Sequence, residues 1–144
     1  MIIGFKKTSR NMDFADLALA NCLEQNRSIK LMEQLSGTIN WSRVESILLS
    51  HYTVGTSEEG ARAYPPLMLF KCLLLQKWFH IQSDPELENQ INDRLSFKTF
   101  LGLALSQPAP DHSTCSRFRG RMPEAAIDAR PLHNSLPISA LRTD

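Results

Sequence analysis

The sequence predicts an all-α fold, a compact helical bundle with a helix-turn-helix-like C-terminal part. Three observations carry that expectation. No segment alternates apolar and polar residues between hairpin turns, as half-buried strands do. Apolar residues recur instead at helical spacing over positions 13–122. Prolines and short polar residues stand where helices begin, at Tyr64-Pro65-Pro66, at Asp84-Pro85-Glu86 and at Asp111. The 144 residues allow one domain and not two full ones. Hydrophobic residues make up 42% and charged residues 22%, the balance of a chain that folds.

Residues 1–12 read as a flexible arm. From Asp13 to Leu35 the pattern is helical, with Phe14, Leu17, Cys22 and Leu23, then Ile29, Met32 and Leu35, spaced for burial, and Gly37 as a stop. Asn40 or Ser42 can cap a helix carrying Trp41, Val44, Ile47 and Leu48. Residues 53–63 hold two glycines among small polar residues and read as a loop. Pro65 and Pro66 open the strongest helix, since a first helical turn has no use for their missing N–H. From Leu67 to Phe79 that helix is apolar on nearly every face, so its neighbours must surround it. Asp84, as a cap, then opens an acidic helix with four acids and no base over 84–93. Ser96 can cap a short helix with Phe97, Phe100, Leu101 and Leu103. Pro108 and Pro110 enforce a turn. Asp111 caps the last helix, to about Arg121. The segment 123–144 holds three prolines and no helical apolar face, so it reads as a poorly ordered tail.

Charge and cysteine content narrow the function. Sixteen Lys and Arg against fifteen Asp and Glu give a net charge of +1, which excludes a basic coat protein and an acidic disordered tail. Cys22, Cys72 and Cys115 form no CxxC pair and read as reduced thiols of a cytoplasmic protein. Nothing after the basic residues of Met1–Arg10 resembles a signal peptide. The apolar run Pro65–Ile81 is broken by Lys71 and Lys77 and falls short of the ~20 residues of a membrane span, so no membrane partner is expected.

The chemistry concentrates in the last helix. Over 94–122 five bases face one acid, Asp111. Projected at about 100° per residue, Cys115, Phe118 and Met122 form a narrow seam for the core. Arg119 falls beside the seam. Ser113, Arg117 and Arg121 line the opposite face at i, i+4 and i+8, with Thr114 alongside. Two guanidinium groups and two hydroxyls are what a major-groove helix needs, because arginine pairs bidentately with guanine and hydroxyls reach bases or phosphates. Unpaired N–H groups at the helix start would favour a phosphate. Ser113, Thr114, Arg117 and Arg121 are therefore the expected DNA-binding residues. No metal site is expected: His112 and Cys115 stand at i, i+3, but no second ligand pair lies near. No phosphate-cradling glycine loop and no nucleophile elbow occur, so neither a cofactor nor a catalytic residue is expected.

The order of these blocks also resembles a known family. Tyr64-Pro65-Pro66-Leu67-Met68-Leu69-Phe70-Lys71, with Leu73-Leu74-Leu75-Gln76 and Trp78, is similar to the N-terminal domain of IS-five-like insertion-sequence transposases of the DDE class. Asp84-Pro85-Glu86-Leu87-Glu88, Ile91-Asn92-Asp93-Arg94-Leu95-Ser96-Phe97 and Phe100-Leu101-Gly102-Leu103 continue it. Pro110-Asp111-His112-Ser113-Thr114 and Ser116-Arg117-Phe118-Arg119 close it. The resemblance covers about residues 12–122 and implies a helical module, residues 13–122, that binds the terminal inverted repeats of a mobile element. In full-length members a ribonuclease-H-like domain with two aspartates and a glutamate follows and holds two metal ions. The chain is expected to be truncated before that domain, and so not to be an enzyme. Cys115 departs from the family, where a bulkier residue such as Phe is expected; a cavity there would cost ~1–3 kcal/mol. The alternative is a helical protein-interaction module that pairs with itself or with an intact transposase and poisons it.

Overall fold

The computed structural model describes residues 26–51 and 64–122. The expected arm at 1–12, loop at 53–63 and tail at 123–144, together with Cys22, lie outside the described residues. The described residues form six helices and no strand. They are α1 (Arg27–Gly37), α2 (Trp41–His51), α3 (Pro66–Trp78), α4 (Asp84–Asp93), α5 (Leu95–Leu101) and α6 (His112–Arg121). No helix among them is long and apolar enough to cross a membrane.

The all-α expectation holds, with four boundaries moved by local chemistry. Of the segment read as helical from 13 to 35, residues up to 25 lie outside the described residues, and the helix that is described begins after Asn26, whose backbone is extended (φ −73°, ψ 115°). The Asn26 Oδ1 accepts from the N–H of Ser28 at 3.0 Å and of Ile29 at 3.2 Å, so α1 starts at Arg27. Asn40, not Ser42, serves α2, accepting from Arg43 N–H at 3.2 Å. Ser83, not Asp84, caps α4: its hydroxyl accepts from Glu86 N–H at 3.3 Å, and Asp84 becomes the first residue of the helix. Ser96 lies buried inside α5 instead of capping it. Leu103, read as helical, lies past the end, because Gly102 turns left-handed (φ 74°) and Leu103 N–H returns to Lys98 O at 2.9 Å. That closure leaves Leu103 buried against the core, the contact such caps favour. The end of α3 uses the same device with a non-glycine residue, His80 at φ 52°, and Ile81 N–H reaches back to Gln76 O at 2.9 Å.

Helix α3 is the centre, as its all-round apolarity requires. Leu69, Cys72 and Leu75 are fully buried, and α2, α4, α5 and α6 all pack on it. Helix α1 closes over α5. Trp41, Trp78 and Phe100 form an aromatic knot, with ring centroids 6.1 Å and 5.7 Å apart for the two Trp–Phe pairs. The Lys71 ammonium lies 4.7 Å from the Trp41 ring centroid. Burial holds its pKa below the usual lysine value, while Glu45 opposes that shift. Helix α2 is the thinnest layer: Leu48 is its one buried residue, and Ile47 and Leu49 stay exposed.

Candidate nucleic-acid interface

The ten residues between α5 and α6 set where the last helix lies. Lys98 is buried, and its ammonium donates to Leu105 O at 2.8 Å and Gln107 O at 2.9 Å. The Gln107 side chain accepts from Ala104 N–H at 3.1 Å, and Asn92 of α4 accepts from Ala109 N–H at 2.8 Å. Pro110 is fully buried, so this loop is pinned at both ends. Sequence spacing pairs α6 with α5 as a helix-turn-helix. In the structure α6 packs chiefly on α4 and α3, because this long loop carries it across to the acidic helix.

As projected, Cys115, Phe118 and Met122 are buried along one seam. Cys115 lies against Cys72 of α3, and both thiols are free. Hydrogen bonding to Cys115, then burial, pushes the Cys72 thiol well above its ordinary range.

The α4-facing flank of α6 is neutralised. The guanidinium of Arg119 grips Asp84 with two bonds, Nη1 to Oδ2 at 3.1 Å and Nη2 to Oδ1 at 2.8 Å. It also donates to Gln76 Oε1, and Gln76 in turn donates to Asp84 at 3.0 Å. One planar cation thus ties α3, α4 and α6 together. The Arg119 bond holds the Asp84 carboxyl below its ordinary pKa, against the effect of burial.

Asp111 caps α6 as expected, accepting from Ser113 N–H at 2.7 Å. Glu88 Oε2 accepts from the backbone N–H of His112 and meets its Nδ1, both at 2.9 Å. The first N–H groups of α6 are therefore already held by carboxylates. The expected phosphate position at this helix start is filled by two acids of the chain itself. Glu88, Asp111 and His112 bring ligand-type atoms within 4.8 Å of one another on the surface. Their bonds serve the helix start, and Glu88, 24 residues from His112, is the member that spacing rules do not find.

The hydrogen bond that His112 donates to Glu88, then the charge of Asp111, raises the His112 pKa above 6.5. A histidine held this way stabilises the fold fully below its unfolded pKa and stops doing so as pH rises through the folded value. The thermal midpoint should therefore fall between pH 6 and 8.5, and E88Q should flatten most of that fall. Asp84 works in the opposite sense: its contribution stands above pH 3.8 and is lost as pH drops through its lowered value. A midpoint that is level across pH 6–8.5 in the unmodified chain would refute the His112–Glu88 pairing.

Of the five bases over 94–122, three are occupied within the fold. Lys98 holds the loop, Arg119 holds Asp84, and Arg94 lies over the Phe97 and Phe79 rings at 4.9 Å and 5.6 Å. Arg117 and Arg121 are exposed and have no carboxylate partner among the described residues. Arg117 only folds back on its own helix, reaching Ser113 O at 3.2 Å. Ser113 and Thr114 are half-buried, while Ser116 and Gly120 are exposed.

A transposase domain family, DUF772, matches residues 20–121, a span that includes all six helices. The chain belongs to this transposase domain family. No curated protein and no solved structure matches it. In this transposase domain the match ends at Arg121, the last residue of α6, so both unpaired arginines fall inside it.

Proposed function

We propose that this transposase domain is a DNA-binding module that recognises the terminal inverted repeats of an insertion sequence. The observation that carries the proposal is the division of α6 into two flanks. His112 and Arg119 spend their charge on α4, whereas Arg117 and Arg121 offer theirs outward. On a chain of nearly zero net charge these two exposed arginines make a local basic patch, which is how specific DNA binders are often built. Ser113 and Thr114 belong to the same proposed face. The carboxylates nearest α6, those of Asp84, Glu88 and Asp111, serve as caps and pair partners, so the module is proposed to bind DNA without cutting it.

The test is a titration of fluorescent duplexes tiled across the DNA on either side of the gene, at two salt concentrations, with a melt for each variant. R117A and R121A should each weaken binding. The loss is ~1–3 kcal/mol if the arginine reads a base; a phosphate contact would instead lower the salt slope by about one. R119A should lower the thermal midpoint, at a cost of ~1 kcal/mol for a half-exposed bidentate pair, and keep binding once folded. Equal binding losses for all three arginines with unchanged melts would overturn the two-flank assignment.

A second reading is favoured by α2, where Ile47 and Leu49 are each 43% exposed. Apolar side chains left exposed on both flanks of a thin outer helix suit association with another copy of the domain or with an intact transposase. Association through it would survive high salt, whereas phosphate binding falls steeply.

A further inference from the structure

Resting on the DNA-binding proposal, we infer that α6 meets the duplex with its C-terminal half, and that Gly120 is the point of closest approach. Two independent features lead there. The first is charge. Glu88 and Asp111 place two carboxylates over the opening turn of α6, where they occupy the N–H groups of His112 and Ser113. A phosphate approaching that end meets two carboxylates beside one imidazole, and finds both of those N–H groups already taken. Toward the other end the sign reverses, with Arg117 and Arg121 exposed and without a carboxylate partner among the described residues. A polyanion is therefore steered to the far end of the helix.

The second feature is a glycine that the fold does not need. Gly120 lies inside α6, one residue from its end, and is exposed. Its φ is not left-handed, since Gly102 is the one positive-φ glycine among the described residues. A Cβ built on Gly120 meets nothing within 4 Å. Neither backbone shape nor packing excludes alanine, and alanine is the better helix former. Glycine at such a place suits a backbone approached closely from outside. By helical projection Gly120 lies about 60° to one side of Arg117, away from the buried seam, so a duplex gripped by Arg117 rests on the bare backbone at 120. The occupant is double-stranded DNA, chosen by charge complementarity to the two guanidinium groups.

The experiment uses the full chain, the tiled duplexes and four variants: G120A, G120Q, S113A and T114A. G120A should raise the thermal midpoint by ~2–5 °C. The same variant should weaken DNA binding roughly tenfold, and G120Q should weaken it further. S113A and T114A, near the acid-covered end, should each weaken binding less than G120A does. Stability and binding then move in opposite directions at one position, which misfolding cannot mimic. Unchanged binding by G120A and G120Q, with R117A still impaired, would overturn this docking and leave the DNA-binding proposal standing. Larger losses for S113A and T114A than for G120A would likewise overturn it. An unmodified chain that binds none of the duplexes would overturn both.

Discussion

F118A should be among the most damaging single changes in the chain, costing ~3–5 kcal/mol. Phe118 is 1% exposed and sits at the middle of the α6 seam, between Cys115 and Met122. Truncating a buried phenylalanine forfeits its transfer free energy and leaves a void that close-packed neighbours fill only in part. Helix α6 has little else to hold it: its other buried residue is Cys115, and its surface bond to Asp84 is worth ~1 kcal/mol. Total stabilities of ~5–15 kcal/mol leave small room for such a loss. The check is a urea titration. The midpoint should fall sharply with the slope unchanged, and DNA binding should vanish with the fold. A loss below ~1 kcal/mol would mean that α6 is not seated on this side chain.

The second large effect is expected at Lys98. K98M keeps the length and the apolar stem but removes an ammonium that donates to Leu105 O and Gln107 O. Hydrogen bonds from a charged donor contribute ~1.5–3 kcal/mol each, and carbonyls left without a donor add their own cost. Against this stands the desolvation of the ammonium, which lowers its pKa and is relieved in the variant. The net expected loss is ~2–3 kcal/mol. It should be accompanied by changed amide shifts at residues 104–107, because the loop that carries α6 to α4 loses its internal anchor. A variant as stable as the unmodified chain, with the loop shifts unmoved, would show that the anchor contributes nothing.

What the sequence revealed of this fold was what local geometry determines. The seam of α6 was visible because Cys115, Phe118 and Met122 share a face by helical arithmetic alone. The central place of α3 followed from a helix with no polar face. Arg119 was legible only as a residue beside the seam; its partner Asp84 is 35 positions away and had been read as a cap. Glu88 is visible in the sequence only as one of the four acids over 84–93. Four acids on α4 and the bases of α6 were a hint that the helices attract, but the residue pairing depends on the path of the loop between them. That path depends on Lys98, a charged residue that spacing rules assign to the surface and that the structure buries to hold two carbonyls. Asn26 shows a different limit. Apolar periodicity runs through it, while one side chain that competes for backbone N–H groups is enough to set where α1 begins.

The position of α3 has a consequence for how the module is lost. Helices α2, α4, α5 and α6 all pack on this one helix, and their buried side chains join a single core among the described residues. No subset of helices can stay folded once α3 loosens, so unfolding is expected as one cooperative step. The arginines that α6 is proposed to offer to DNA are therefore only as well placed as the helix on which α6 rests. A lesion in the middle of α3 would displace both of them without altering a single residue of α6.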